Sequence, residues 1–518
     1  MIAINSGNEI FDSFSARVAG FLEQDISEFQ VGDKRIRGYR SPDTTPIWLR
    51  DHTHQLKAFK YFEKDLQSAV THFLEQQLPD GSIYDFVDRE GKRHRAPCEA
   101  DVEYLLVEAV YTIWQATGDD DWLRRALPRL ERALCYSMSH PARWSKQHQL
   151  VKRPFTIDTW DFVYNPNGVC RWGSYGEIDA NTSFCIMHGD NTGMFQACAQ
   201  LAKLARYLGH VDYADYWASK ALHFKQRLNE VCWNGRFFTH QVHIDPIEVN
   251  GVEEKSQLSL SNAYALNRGV LTPAQCASII EEYRRRRQEA KNEYFAEWFS
   301  IHPAFPDYSF HAKAYRGWLI NRGWYVNGGV MPLVGGELAK GAFENGFEDY
   351  GLDILMRYYR MIAESGKTYL WYHPNGEPGV SSGSTLATDG WGSAAMLSAY
   401  IEGLVGVKDE FKLLKRVRLA PRWAITEEKR INVKIGYDGV PFTYEYLRND
   451  HSIQISWEGP AEELDFHILL PAGFDRVETF LDGGMIRVER SQIRESRYVD
   501  FTVNKTKGLV KLCPTTNQ

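Results

Sequence analysis

The sequence lacks the short motifs that bind a nucleotide or a metal ion. It contains no Gly-x-x-x-x-Gly-Lys-[Ser/Thr] segment, no strand-embedded Gly-x-Gly-x-x-Gly and no His-Glu-x-x-His. His52 and His54 lie two residues apart near a predicted helix start, so they point in different directions, and no third ligand accompanies them. We interpret both as structural or substrate-contacting residues, and we expect no metal and no cofactor.

Long apolar runs and an excess of basic charge are also absent. No stretch approaches the roughly 18–20 consecutive apolar residues of a membrane span, and the first residues show neither the basic nor the apolar region of a signal peptide. The 60 Lys and Arg are outnumbered by 67 Asp and Glu, and the only dense basic run, Arg284–Arg287, lies in a polar helical stretch. We therefore expect neither nucleic acid nor a membrane as a partner, and the sequence predicts no oligomeric state.

The eight cysteines are scattered, without a Cys-x-x-Cys pair. Cys135 and Cys198 fall inside helical patterns, which is typical of buried free thiols rather than of a disulfide framework or a zinc site. The sequence therefore predicts a soluble, cytoplasmic protein.

Aromatic residues are abundant, with 15 Trp, 27 Tyr and 27 Phe. Many tryptophans fall in loops rich in glycine and proline, where a flat ring can pack on the apolar face of a sugar while its polar edge forms hydrogen bonds. This pattern suggests a carbohydrate site, with these candidate tryptophans: Trp48, Trp160, Trp172, Trp324, Trp371 and Trp391.

The chain divides by pattern into a helical part and a strand-rich part. After an entry segment at 1–45, apolar residues recur at three- and four-residue steps over 46–410 and predict about ten to twelve helices in antiparallel pairs. The loops between pairs are irregular and aromatic, so we prefer a closed toroid of helical hairpins to a solenoid, whose loops would repeat. Short alternating segments over 411–518 predict an antiparallel β-sandwich.

Three loop segments combine carboxylates with aromatic residues. In PIWLRDHTHQL, Arg50 and Asp51 could grip neighbouring sugar hydroxyls, although Asp51 could equally cap a helix. In TIDTWDFVYN, Asp158 and Asp161 lie among rings that would raise a carboxyl pKa, and the alternative is a local turn. In HPNGEPGVSSG, Glu377 lies between glycines and a proline, where it could also be a surface-turn residue.

Further carboxylates precede predicted helices. Glu99 and Asp101 in PCEADVEYLL could line a sugar subsite or cap the helix that follows, and Asp190 in MHGDNTG is favoured as a cap.

These segments resemble those of six-hairpin glycosidases. WLRDHTHQLKAFKYF resembles the aromatic-x-Arg-Asp helix start of glucoamylases, and TWDFVYN is similar to the Trp-carboxylate loops of glucoamylases and trehalases. HPNGEPGVSSGSTLATDGWGSAAML is similar to the late loop that holds the general base, and YVNGGVMPLVGGELAKGAFENG resembles an Asn-Gly-x-x-x-Pro element of trehalases and related processing glucosidases, which makes Asn327 a candidate. The resemblance spans about residues 40 to 405.

The resemblance implies an (α/α)6-barrel and an inverting, exo-acting hydrolase of a small glycoside, preferably α-glucoside-like. Asp161 would be the general acid and Glu377 the general base, on opposite faces of the sugar. Arg50 and Asp51 would hold the terminal sugar. The other implied substrate-binding residues are Trp48, Glu99, Asp101, Trp160, Trp324, Asn327, Trp371 and Trp391.

Three other functions stay open. A glycoside phosphorylase on the same fold would use phosphate in place of a base, although the Glu377 loop offers glycines and serines without a basic residue. An epimerase or lyase would use bases such as His188, Tyr372 or His373. A non-catalytic sugar-binding protein would bind without turnover.

Overall fold

The computed structural model describes residues 1–157, 178–180, 182–247, 249, 251–289, 297–307, 313–314, 318–319, 321–380, 383 and 385–515. Twelve α-helices occur in these ranges: α1 Glu9–Leu22, α2 Leu49–Phe59, α3 Ser68–Glu75, α4 Val102–Thr117, α5 Asp120–Ser139, α6 His188–Tyr207, α7 Val211–Val231, α8 Ser261–Asn267, α9 Pro273–Glu289, α10 Pro332–Glu344, α11 Glu348–Ser365 and α12 Gly390–Ser398. A π-helical turn, Ala399–Leu404, continues α12.

The even-numbered helices contact one another in order, and the series closes. Helix α2 packs on α4, α4 on α6, α6 on α8, α8 on α10 and α10 on α12, and α12 packs back on α2. Glycines permit the closest of these approaches, because a Cβ on Gly336 would lie 2.5 Å from the backbone of Ala395. We call the space enclosed by these six helices the lumen.

The odd-numbered helices pack outside this series. Helix α1 packs on α12, α3 on α4, α5 on α4 and α6, α7 on α6, α9 on α8 and α10, and α11 on α10. Their sequences explain this position, since each presents one apolar face. In α5 the buried residues recur at three- and four-residue steps: Trp122, Leu123, Ala126, Leu127, Leu130, Ala133 and Leu134.

The amino-terminal ends of the even-numbered helices lie together at one end of the lumen, which we call the upper end. Backbone hydrogen bonds connect the segments that precede α8, α10 and α12, from Leu260 N–H to the Ser300 carbonyl, Ser300 N–H to Gly329, Val330 N–H to Tyr372, and Asp389 N–H to Thr368. Leu386 N–H donates to the Pro42 carbonyl and returns the connection to the segment before α2. The carboxyl-terminal halves of the same helices form the lower end.

The strands after residue 406, together with β1 from the start of the chain, form two sheets. One has the order β1-β18-β19-β20-β26-β22-β23 and the other β16-β17-β21-β25-β24. Their strands are β1 Ile2–Asn5, β16 Val407–Asp409, β17 Arg416–Leu419, β18 Arg430–Tyr437, β19 Val440–Asn449, β20 Ser452–Glu458, β21 Glu463–Leu469, β22 Val477–Leu481, β23 Gly484–Ile486, β24 Glu489–Ile493, β25 Ser496–Val503 and β26 Lys507–Pro514.

Short strands shape the loops at the upper end. They are β2 Ile26–Val31, β3 Lys34–Tyr39, β4 Ile47–Trp48, β5 Phe86–Val87, β6 Arg93–His94, β7 Trp144–Ser145, β8 Leu150–Val151, β9 Arg153–Pro154, β10 Phe184–Met187, β11 Gln241–His243, β12 Leu258–Ser259, β13 Ile301–His302, β14 Lys313–Ala314 and β15 Trp318–Leu319. Strand β4, for example, runs directly into α2.

The predicted combination of a helical part and a strand-rich part is confirmed, while the boundaries at 45 and 410 stay predictions. The entry segment contributes to both parts, because β1 pairs with β18 and α1 packs on α12. Among the described helices, none combines the length and apolar character needed to cross a bilayer. The seven described cysteines are free thiols.

Candidate active site

Arg50 is fixed at the upper end by two carboxylates. Its Nε donates to Asp101 Oδ2 at 2.6 Å, and its Nη2 donates to Glu99 Oε2 at 2.5 Å and Asp101 Oδ1 at 2.8 Å. Asp101 precedes α4 without capping it, so the capping alternative does not hold for this side chain. No described residue forms a hydrogen bond with the remaining nitrogen, Nη1, and that atom is not sealed from solvent. Because the guanidinium is held in this way, the two N–H groups of Nη1 are donors with a fixed orientation.

A second, half-buried arginine and two more acids support this group. Asp85 is hydrogen-bonded to Glu99, and Arg95 lies 3.6 Å from Asp85 and 3.1 Å from Glu103. Burial raises the pKa of Asp85 well above its usual value. Burial opposes ionisation of Glu99 as well, but Arg50 and the hydrogen bond from Asp85 outweigh it and lower the pKa of Glu99 to about 2. Of this hydrogen-bonded pair, Asp85 therefore keeps its proton to higher pH than Glu99 does.

Three other carboxyls at the upper end have raised pKa values because they are buried. Burial raises the pKa of Asp51 to about 7 against the opposing effect of Arg50. It raises that of Asp190 to about 6, although Arg153 Nη1 lies 3.4 Å from Asp190 Oδ1. It raises that of Asp389 to about 8, although the Gly392 N–H donates to this side chain.

The capping interpretations of Asp51 and Asp190 are wrong, and the one helix cap among these three acids is Asp389, for which no cap was predicted. Asp389 is the N-cap of α12. Asp51 and Asp190 lie in the first turns of α2 and α6, whose N-cap residues are Trp48 and Met187. Asp51 is instead hydrogen-bonded to Ser41.

Trp391 forms part of a layer of rings across the lumen. Its Nε1 donates to Tyr264 Oη at 2.7 Å, and its indole stacks on His54 with 4.6 Å between centroids and 11° between planes. The His54 ring lies 5.1 Å from that of Tyr264, and the Arg268 guanidinium lies 5.3 Å from the Tyr264 ring. We call His54, Tyr264, Arg268 and Trp391 the aromatic floor, because they lie between the upper and lower ends.

Glu377 lies at the tip of a hairpin that stands before α12. The Gly379 N–H donates to the Trp371 carbonyl, and the His373 N–H donates to the Glu377 carbonyl. The Glu377 side chain is exposed, and its own N–H donates to Asn375 Oδ1. Glu377 is therefore available to a water or a substrate in this structure.

The tryptophans near this hairpin differ in exposure. Trp371 is 1% exposed, and a Cβ on Gly379 would lie 2.1 Å from its ring, so no face is open to a sugar in this structure. Trp324 is 39% exposed and lies 6.3 Å from Trp371 and 5.2 Å, edge to face, from His373. An exposed ring held by two neighbours suits stacking on a sugar.

Two other predicted contacts are engaged by the protein. The Asn327 side chain is buried, accepts the Phe305 N–H at 2.8 Å and donates to the Phe305 carbonyl at 3.2 Å. Trp48 is half-buried, and its Nε1 donates to Thr44 Oγ1 at 2.8 Å.

Some candidates lie outside the described residues, namely Asp158, Trp160, Asp161 and Trp172. Of the bases named for an epimerase or lyase, His188 is buried with a pKa lowered to about 3 by burial, and the Tyr372 hydroxyl is bound by the Tyr369 N–H. Within the described residues, no group of three or more His, Cys, Asp and Glu side chains could hold a metal ion.

The lower end holds a cavity of about 340 Å³ lined by all six even-numbered helices. Three of its lysines form close ion pairs: Lys57 contacts Glu337 at 2.6 Å, Lys60 contacts Glu402 at 2.9 Å, and Lys340 contacts Glu402 at 2.6 Å. Burial opposes ionisation of Glu402 and Glu337, but the lysines outweigh it and lower the pKa of both.

Sequence reasoning missed Asp85, Tyr264 and Arg268. Asp85 directly precedes the short strand β5 and belongs to no recognisable motif. Tyr264 and Arg268 are four residues apart, a spacing that places them on one side of a helix, but nothing in the sequence indicated that this side faces Trp391.

Solved structures share this fold at low sequence identity. An α-L-rhamnosidase from Dictyoglumus thermophilum has a TM-score of 0.62 at 11% identity, over 99% of this chain and 51% of its own. The Streptomyces avermitilis α-L-rhamnosidase complexed with L-rhamnose has a TM-score of 0.61 at 12% identity, over 98% and 42%. A GH63 mannosylglycerate hydrolase from Thermus thermophilus has a TM-score of 0.52 at 14% identity, over 75% and 99%.

These similarities confirm the suspected six-hairpin (α/α)6 glycosidase-type fold. The chain spans about half the length of the rhamnosidases. No protein-family model matches the chain, and no curated protein matches it.

Proposed function

We propose that the protein is a glycoside hydrolase whose active site lies at the upper end of the lumen. The observation that carries this proposal is Arg50, which Glu99 and Asp101 hold rigidly while Nη1 stays open. A neutral polyol needs such fixed donors and acceptors, and the nearby Asp51 adds a carboxyl. The fold shared with rhamnosidases and a mannosylglycerate hydrolase supports the same conclusion.

The full architecture in this proposal is an (α/α)6 toroid followed by a β-sandwich. The closed series of even-numbered helices supports the toroid. The ring of Trp457 in the first sheet meets that of Phe466 in the second at 5.1 Å, which supports two facing sheets.

In the proposed reaction the sugar is released with inversion. Asp161 protonates the glycosidic oxygen while Glu377 removes a proton from the attacking water, and Trp324 stacks on the aglycone side. The exposed position of the Glu377 side chain supports its role as base, because a base must reach the attacking water. The substrate is a small exo-cleaved glycoside, with an α-glucoside preferred and rhamnosides and mannosylglycerate as further candidates.

The first experiment is a released-sugar screen of the purified protein. The panel contains α- and β-linked disaccharides, rhamnosides, glycosylglycerates and aryl glycosides, each with and without phosphate. Free sugar released without phosphate supports the hydrolase. Turnover that requires phosphate would instead indicate a phosphorylase, and sugar binding without any turnover would indicate a binding protein.

Two variants assign the catalytic roles. Asp161→Asn and Glu377→Gln should each lower kcat by about 10²–10⁴-fold, because each removes one proton transfer. Asp121→Asn and Glu364→Gln, at exposed helical positions, are the matched controls and should keep full activity. Near-full activity of Asp161→Asn or Glu377→Gln on the true substrate would remove that residue from its role. A cytoplasmic location stays a prediction.

A further inference from the structure

One face of α2 borders the lumen from the upper to the lower end. Within this helix Arg50, His54 and Lys57 keep some contact with solvent at steps of three and four residues, as does Asp51 beside Arg50, whereas His52 and Gln55 are fully buried. Lys57 bonds Glu337 on α10, a helix that is not a neighbour of α2 in the ring. This contact shows that the face points across the lumen, so His54 lies on it one turn below Arg50.

The aromatic floor holds the His54 ring in one orientation. One face of the imidazole is covered by Trp391, and the Trp391 ring is fixed in turn by its hydrogen bond to Tyr264. A side chain held by two other helices loses little freedom when a ligand binds, which favours tight and selective contacts.

The two nitrogens of His54 have different surroundings. In the part of the chain that the structure describes, neither nitrogen has a hydrogen-bond partner, and Nδ1 is sealed from solvent whereas Nε2 is not. Burial, with Lys57 and Arg268 nearby, lowers the pKa of His54 well below its usual value, so the ring is neutral at pH 7. A buried N–H without an acceptor is costly. The single proton therefore belongs on Nε2, where a ligand can accept it.

We propose that His54 is a positioning residue of the sugar site, and that its Nε2–H donates to a hydroxyl of the sugar held by Arg50. The proposal rests on the proposed function, because it assigns the deepest contact of the same site. The donors on Arg50 and His54 lie one helical turn apart, with about 5–6 Å between Cβ atoms at that spacing. They would therefore contact different hydroxyls of one sugar ring, and His54 would set how deeply that ring enters.

The test compares His54→Gln with His54→Leu. The glutamine amide can place a donor close to the position of Nε2, whereas leucine keeps the bulk without a donor. Because a contact to a non-reacting hydroxyl acts equally in the ground and transition states, His54→Leu should raise KM roughly 10-fold with little change in kcat. His54→Gln should restore most of the loss. With a substrate analogue that lacks the contacted hydroxyl, His54→Leu and the unmodified protein should have the same KM.

His52→Gln is the matched control on the same helix. Its ring stacks on Tyr39 and its Nδ1 accepts the Tyr39 N–H away from the lumen, so this variant should lower Tm without raising KM. Equal KM values for His54→Leu and the unmodified protein, or equal losses in His54→Leu and His54→Gln, would overturn the proposal.

A binding measurement separates this proposal from the proposed function. If the unmodified protein turns over no glycoside, the hydrolase proposal fails, and Tm is measured with free rhamnose, mannose and glucose. A sugar that raises Tm of the unmodified protein but not of His54→Leu supports the contact. Equal shifts in both proteins, or no shift with any sugar, would overturn it.

Discussion

Both ends of the lumen contain buried carboxyl groups, but the pKa values of two glutamates at the lower end and two aspartates at the upper end are shifted in opposite directions. At the lower end Glu402 and Glu337 lie within 3 Å of lysine nitrogens, and the pKa of both is lowered. At the upper end Asp51 and Asp389 are equally buried, and their pKa values are raised to about 7 and about 8. Burial is common to both ends, so the close lysine contacts of Glu402 and Glu337 account for this difference, whereas the longer 3.4 Å contact of Arg153 with Asp190 does not reverse the effect of burial.

This difference separates structure from chemistry within one lumen. At the lower end Lys57, Lys60 and Lys340 are paired with Glu337 and Glu402, and these pairs join α2, α10 and the turn after α12 as an internal brace. The upper end retains carboxyls that can gain or lose protons near neutral pH, together with donors on Arg50 and His54 that the protein does not use. Perturbed carboxyls and unused donors in one place are typical of a catalytic site.

The largest expected effect at the lower end comes from Glu402→Gln. The change leaves the ammonium groups of Lys60 and Lys340 without their shared carboxylate, and breaking a buried pair costs about 3–5 kcal/mol. Urea unfolding measures the loss through the midpoint concentration. A loss below about 1 kcal/mol would show that the lysines find other partners and that the brace is not a single unit.

At the upper end Asp389→Asn should raise the free energy of unfolding relative to the unmodified protein, and this gain should increase with pH. The unfolded carboxyl ionises near its usual pKa, while the folded one keeps its proton until about pH 8, so the unmodified protein loses stability as pH rises through this window. Asparagine can still cap α12 but does not ionise. The difference in unfolding free energy between the variant and the unmodified protein should therefore shift in favour of the variant by more than about 1 kcal/mol from pH 5 to pH 8.

Unfolding free energies at the two pH values check this result. Asp121→Asn, an exposed aspartate, serves as the control and should show the same difference at both pH values. A gain of Asp389→Asn that does not depend on pH would contradict the raised pKa.

The smallest effect should come from Glu108→Gln, which sharpens the comparison within the lower end. Lys57 Nζ lies 3.8 Å from Glu108 but 2.6 Å from Glu337, which also accepts from Asn267. Glu108→Gln should therefore cost less than about 1 kcal/mol, and Glu337→Gln clearly more. Equal losses in parallel urea titrations would mean that charge in the cavity matters more than direct contact.

The sequence predicted the elements well because their signals are local. Apolar spacing indicated the helical pairs, and alternation indicated strands such as β18, β19 and β20. The pairing of β1 with β18 escaped prediction, since the partners lie more than 400 residues apart and nothing near Ile2 indicates a partner. Turn and helix patterns report neighbours along the chain only.

The site was predicted only in part, because the sequence identifies candidate residues locally but not the contacts between distant segments. Arg50, Glu99 and Asp101 were proposed as site residues, and the structure brings them into contact, but their mutual hydrogen bonds depend on how α2 meets α4. The sequence could not show that Trp324 is exposed and Trp371 buried, because both stand in similar aromatic loops. The close approach of Gly379 to the Trp371 ring is a tertiary contact.

The closing contact of the ring, between α2 and α12, has a consequence for how the protein is made. Helix α2 begins at Leu49, but its neighbour α12 ends at Ser398, almost 350 residues later. At a synthesis rate of about 5–20 residues per second, α2 waits roughly 17–70 s for that partner. During this interval its polar lumen face and apolar sides have only part of their final contacts, so the nascent chain is the form in which a chaperone would find most to bind.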